Sequence, residues 1–194
     1  MTRRGHGRTG RFCRKLLQAR DGAAAVEFAI VALPFFFMLF AIIEVAVIFI
    51  LSSLLENGTI ETGRLVRTGQ ASAQGMTATQ FQANLCSRMS VFADECATRA
   101  TVDVRVIPQF NVSPPDPLNG PTFNPSGLTY TNGQPGNLML VRVWYRHPLL
   151  TTFLSQSLSR LDDDTAFLTA TTAFRNEPAG AGQPAPAPAP APTP

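Results

Sequence analysis

The chain has 194 residues, 45% of them apolar, and a formal charge of +3, which leaves room for one ordinary domain plus an appendage and excludes a large multidomain enzyme. The charge is uneven, because residues 1–22 carry seven Lys/Arg against one acid while residues 23–194 carry nine against twelve. Such a basic leader is either a nucleic-acid arm or the cytoplasmic flank of a membrane segment, and the apolar run directly after it decides for the membrane.

Residues 23–55 contain only two charges, Glu27 and Glu44, and the 16 residues from Phe28 to Ile43 have no polar side chain. This predicts a transmembrane helix. At about 1.5 Å per residue the stretch is roughly 50 Å long, more than a ~30 Å hydrocarbon core holds, so part of it must leave the bilayer. The basic leader sits where the positive-inside tendency operates, which predicts a cytoplasmic N-terminus and an exported C-terminal bulk. A cleaved signal peptide fits poorly: the apolar run far exceeds an h-region, and no small-residue cleavage site precedes Asn57-Gly58. Pro34 leaves the Ile30 carbonyl without its helical amide partner, which predicts a kink. Glu27 and Glu44 are seventeen positions apart, about 25 Å along a helix and about 100° around it, so they bracket the bilayer and do not form a relay. Glu44 is read either as an outer-interface residue or, with Pro34, as a contact for another helix.

The boundary between leader and helix reads Arg20-Asp21-Gly22-Ala23-Ala24-Ala25-Val26-Glu27-Phe28. It resembles the processing site of type IV prepilins and pseudopilins. By that resemblance a membrane-embedded aspartate peptidase cuts after Gly22, Ala23 becomes the mature N-terminus, Glu27 becomes its fifth residue and Phe28 takes the aromatic place of the Flp/Tad branch. The physical sense of the spacing stands by itself: a new ammonium at Ala23 and the Glu27 carboxylate are i,i+4 on a helix, near the positive end of its dipole. Between neighbouring helices the same two charges act as a register key, since misregistration leaves both unpaired in a low dielectric.

The order from Val26 to Gly69, with Glu44, Arg64 and Arg67, and the later Thr172–Pro178 are similar to the TadE/TadG-like pseudopilins of tight-adherence pili. The resemblance implies a non-enzymatic assembly protein of the bacterial inner membrane. Its implied partners are the prepilin peptidase, the Flp-type major pilin, companion minor pilins, inner-membrane platform proteins and the lipid bilayer. Major Flp pilins are far shorter, which disfavours the bulk filament subunit. The alternative is an unprocessed, permanently anchored envelope protein whose exported domain binds a partner or ligand.

Beyond the membrane, Leu54 to Arg67 continues an amphipathic helical pattern despite Gly58 and Gly63, and 70–75 is a polar loop. Thr77 to Phe92 places Phe81, Leu85 and Met89 at i, i+4 and i+8, a short helix with one face on a core and a cap at Thr77 or Thr79. Cys86 lies beside that face and Cys96 after its end, close enough in sequence to pair once exported, while Cys13 stays in the reduced leader. Three strands come next: Thr101 to Phe110, where Val102, Val104 and Val106 alternate with Asp103 and Arg105, then Leu138 to Tyr145, then Ala166 to Phe174. Asn111 to Asn137, with six prolines, is a long loop between the first two.

The expected fold is therefore α+β. Residues 1–22 are a cytoplasmic leader, 23–55 the membrane helix and 56–177 an exported domain with a short antiparallel sheet and loop 111–137. Residues 178–194 form a Pro/Ala tail that buries nothing and does not fold. No catalytic, metal or cofactor constellation is assembled from the sequence: His6 and His147 stand apart, and Asp162-Asp163-Asp164 lacks the spacing of a calcium loop. A nucleic-acid role is disfavoured because the basic arm is tethered at the membrane.

Overall fold

The computed structural model describes residues 20–111, 114–119, 122–151 and 165–178. Cys13, His6, Asp162-Asp163-Asp164, most of the leader and all but the first residue of the tail lie outside them. The chain divides into two compact units, the first ending at Val45 and the second beginning at Ala46.

Helix α1, Arg20–Arg67, runs unbroken through Pro34. From Ala24 to Val45 it is apolar on every side apart from Glu27 and Glu44. Phe28, Ile30, Val31, Leu33 and Met38 are all more than 60% exposed, which no water-facing helix tolerates. The stretch from Ala24 belongs to a helix long and apolar enough to cross a membrane, and the twenty residues to Ile43 span about 30 Å, one hydrocarbon core.

The pattern changes in the second unit. Leu51, Leu55, Thr59, Thr62 and Val66 are at most 1% exposed and recur every three or four positions, so one stripe of α1 is the wall of a folded core. The Thr59 hydroxyl satisfies itself within the helix by donating to the Leu55 carbonyl at 2.7 Å. Gly58 and Gly63 serve that packing: a Cβ on Gly63 stands 3.2 Å from the Phe174 ring, and one on Gly58 stands 3.3 Å from Leu85. Gly69 ends α1 in the left-handed conformation (φ 75°) and donates back to the Val66 carbonyl.

The expected polar loop after Gly69 is instead a four-residue helix, α2 (Gln70–Ala73), which buries Ala71. Helix α3, Ala78–Ser87, begins at Thr77 with a reciprocal cap: the Gln80 amide donates to the Thr77 hydroxyl, and the Gln80 side chain accepts from the Thr77 amide. Phe81, Leu85 and, just past its end, Met89 are wholly buried, as their spacing predicts. A further short helix, α4 (Ala93–Arg99), has no counterpart in the sequence pattern. It carries Asp94 and Glu95 in its first turn and Arg99 in its last, which suits the dipole. Cys86 of α3 and Cys96 of α4 form a disulfide with Cα atoms 5.4 Å apart.

Strands β1 (Ala100–Ile107), β4 (Leu138–Pro148) and β5 (Thr165–Arg175) make an antiparallel sheet in the order β1-β4-β5, and β2 (Leu118–Asn119) and β3 (Thr122–Phe123) form a separate minimal hairpin. Register sets Val104 opposite Val141 and Val141 opposite Thr172. The inner face, with Val104, Met139, Val141, Val143, Tyr145 and Ala170, closes the core with α1 and α3. Central β4 is buried on both faces from Met139 to Tyr145, the physical reason for its near-continuous apolar run. Loop 111–137 covers the outer face: Phe123 lies 5.9 Å from the Trp144 ring and 5.3 Å from Phe167.

Two substitutions probe this packing. Gly63→Leu, by forcing α1 off Phe174, is expected to cost about 1–3 kcal/mol, read as a lowered urea midpoint of the detergent-solubilised chain. Replacing Cys86 and Cys96 by Ala is expected to cost about 2–4 kcal/mol by the same measurement.

Candidate functional site

The motif residues occupy the start of α1. Gly22 is the third helical residue and is half-buried; Ala23 is next in the helix. Glu27 and Phe28 are exposed, Phe28 by 71%. One helical turn separates Ala23 from Glu27, so a terminal ammonium created there is within pairing range of the carboxylate. The Glu27 side chain makes no hydrogen bond or ion pair with any described residue. Next to it, Ala25, Val26, Ala29, Ile30 and Leu33 form a shallow apolar strip along the helix. Pro34 and the Phe35–Phe37 run, with Phe35 and Phe36 edge to face at 5.4 Å, continue the exposed surface. Glu44 differs, being only 8% exposed. The helix therefore brings Gly22, Ala23, Glu27 and Phe28 together and leaves Glu44 about 25 Å further along the axis. Cys86 and Cys96 belong to neither group and clamp α3 to α4.

A second polar constellation is invisible in the strand pattern. Asp103 and Arg105 alternate with valines as the wet face of a strand should, yet Asp103 is fully buried. Its carboxylate accepts from Arg105 Nε and Nη2, from Arg142 Nε and Nη2, and from the Thr129 amide, at 2.6–3.1 Å. Arg105 also donates to the Gly127 carbonyl and Arg142 to the Pro115 carbonyl, while the Arg142 guanidinium stacks 4.9 Å over Trp144. One carboxylate and two guanidiniums thus bind both ends of the loop to the sheet. The signal was the loop itself: so long a segment, rich in proline, needs something to cover and something to hold it.

Burial by itself raises the Asp103 pKa, but Arg105, the Thr129 amide and Arg142 outweigh it and hold the carboxyl below its ordinary range. Burial pushes the Tyr130 hydroxyl up to about 12. It also raises that of Tyr145, against the opposing effect of Arg99. Among the described residues, no group of three or more His, Cys, Asp or Glu is placed to hold a metal ion.

Residues 22–64 match the model of a protein family described as TadE-like protein. The match opens on Gly22, contains Glu27, Phe28, Pro34 and Glu44, and stops three residues before the end of α1. The family suggested by the motif is the one whose model matches. No curated protein and no solved structure matches the chain.

Because the folded pKa of Asp103 lies below the unfolded value of about 3.9, its stabilisation is complete above that pH and is lost as pH falls through the folded value. Asp103→Asn leaves two largely buried guanidiniums without their anion and is expected to cost about 3–5 kcal/mol near neutrality. Trp144, the single tryptophan, reports both effects by fluorescence during urea unfolding: the variant's stability should vary less with pH on the acid side.

Proposed function

We propose that the chain is a pseudopilin-like assembly protein of a tight-adherence pilus, anchored in the inner membrane by α1 and processed after Gly22. The observation that carries this reading is the segment Gly22–Phe28 at the start of a helix whose stretch from Ala24 to Ile43 is apolar apart from Glu27, within the TadE-like match. Residues 1–22 are then the cytoplasmic leader and the apolar half of α1 the membrane span. The domain through Glu177 is periplasmic, and the Pro/Ala tail from Pro178 is a spacer. Partners of this reading are the prepilin peptidase, the major Flp pilin, companion minor pilins, platform proteins and lipid.

The chemistry of the site supports each step. A peptidase needs its scissile bond extended, and Gly22, the weakest helix former near the helix start, makes local opening of the first turn inexpensive. Cleavage exposes an ammonium on Ala23 one turn from Glu27. A carboxylate in an apolar stretch with no internal partner is costly in a bilayer, and a cation on an adjacent helix removes that cost. Association in the correct register is thereby favoured over any shifted one. The small residues Ala25 and Ala29 beside Glu27 allow a second helix to approach closely.

Mass-spectrometric reading of the mature N-terminus in cells with an active peptidase should give Ala23, and Gly22→Ala should abolish that product. An intact leader in the wild type would leave a permanent anchor as the function. Glu27→Gln should still fractionate with membranes but crosslink poorly to companion pilins, with Glu27→Asp intermediate. Crosslinking of Glu27→Gln at the wild-type level would remove the carboxylate from the assembly role.

A further inference from the structure

The two edges of the sheet are treated differently. On the β1 edge, the Val104 amide donates to the Thr129 carbonyl at 2.8 Å and its carbonyl accepts from the Thr131 amide at 2.9 Å, so the loop lies alongside as a parallel partner. Asp103 and Arg105 pin it there, and Pro108 ends the strand. Among the described residues the β5 edge has none of this, and the backbone of Ala166–Phe174 pairs there with β4 alone. Its sequence, AFLTATTAF, holds no charge, proline or glycine. Edges of soluble sheets are normally blunted by such residues, by a bulge or by a covering segment. Here a nine-residue row, about 30 Å long, of alternate outward N–H and C=O groups is left as a template.

We propose that the β5 edge is a docking site for an extended, uncharged segment of another chain, which joins the sheet as a fourth strand beside Ala166–Phe174. The groups on the edge define the occupant: a row of main-chain donors and acceptors is matched only by another extended backbone, with side-chain alternation supplying selectivity. Thr169 and Thr171 offer hydroxyls on the outer face; Leu168 and Phe174 offer apolar surface on the inner one. With no charge on the strand before Arg175, a charged partner gains no ion pair.

A second copy of the folded chain is the wrong occupant. Helix α1 and β5 advance toward the same end: Gly63 lies against Thr172 and Phe174, and further on the Glu177 amide donates to the Arg67 carbonyl at 2.9 Å. Two β5 edges joined by a twofold axis run antiparallel, which reverses one α1 relative to the other. Two chains anchored through α1 in one bilayer have no such arrangement. A copy in the same orientation presents its β1 edge, which Thr129–Thr131 already occupies.

The test uses the full chain in lipid nanodiscs and, as probe, a labelled peptide copying the uncharged stretch Thr165–Phe174. Neighbouring residues of a strand point their amides to opposite sides, so one of Thr171→Pro and Thr172→Pro removes an outward amide and the other a β4 ladder bond. Saturable binding to the wild type is expected. The outward proline variant should keep the wild-type melting temperature and bind about tenfold more weakly, the effect of one or two lost hydrogen bonds. A peptide N-methylated along one edge should still bind; one methylated along both edges should not. No saturable binding, undiminished binding to both proline variants, or binding of the doubly methylated peptide overturns the proposal.

Discussion

A single stripe of α1 supports everything in the second unit. Leu51, Leu55, Thr59, Thr62 and Val66 present a wall only about two side chains wide, and a three-stranded sheet has too little surface of its own to stand alone. The two glycines let the helix settle close to Phe174 and Leu85, trading helix propensity for contact. This explains why Gly58 and Gly63 occur in a helix that is otherwise free of breakers after Pro34. The same helix meets two solvents: all-round apolar side chains where no core covers it, one apolar stripe where the core does.

With α1 on the inner face, the outer face of the sheet needs a second cover, and a helix is not available for it. The Pro-rich segment between β1 and β4 takes that place, but it contributes few large apolar groups beyond Phe123. Electrostatics supply the attachment. Asp103 joins Arg105 and Arg142, and through their remaining donors the carbonyls of Gly127 and Pro115. A buried ion pair is often no more stabilising than a hydrophobic replacement, yet it is directional, and here direction fixes where an irregular segment lies. The disulfide does comparable work for α3 and α4, alongside the Gln82 side chain, which donates to the Ala97 and Ala100 carbonyls.

Legibility from sequence tracked the range of the interactions. The Thr77 cap with Phe81, Leu85 and Met89 and the length of α1 are local patterns, and each appears in the structure where its period placed it; the alternation of Val102, Val104 and Val106 placed the strand but not its burial, since Val106 is exposed and Asp103 and Ile107 are buried. Helix α2 gives no such pattern: QASA has no large apolar residue, and its helicity is set by the turn at Gly69 and the burial of Ala71. Helix α4, seven residues long, is below the length at which a 3.6-residue period is readable. The buried state of Asp103 is hidden for a different reason. Alternation reports which residues share a face, and only the distant loop determines whether that face is wet. The Gly22–Phe28 motif is readable because it is contiguous, whereas the consequence proposed for it depends on charges that would arrive from another molecule.

Asp103 and Glu27 are the same chemical problem with opposite solutions. Asp103 is buried in the fold, and Glu27 stands in the apolar stretch read as the membrane span; both settings penalise an isolated charge. Asp103 receives two guanidiniums and an amide from its own chain, so its ionisation stabilises the fold and demands nothing from outside. Glu27 receives no partner among the described residues, and the apolar residues around it offer no donor. A carboxylate left in that condition raises the energy of the lone membrane-inserted helix and not that of an assembly which supplies a cation. On the proposed reading, in which cleavage after Gly22 places an ammonium one turn away at Ala23, such a group would favour association and make it sensitive to a vertical shift of a few ångströms between neighbours.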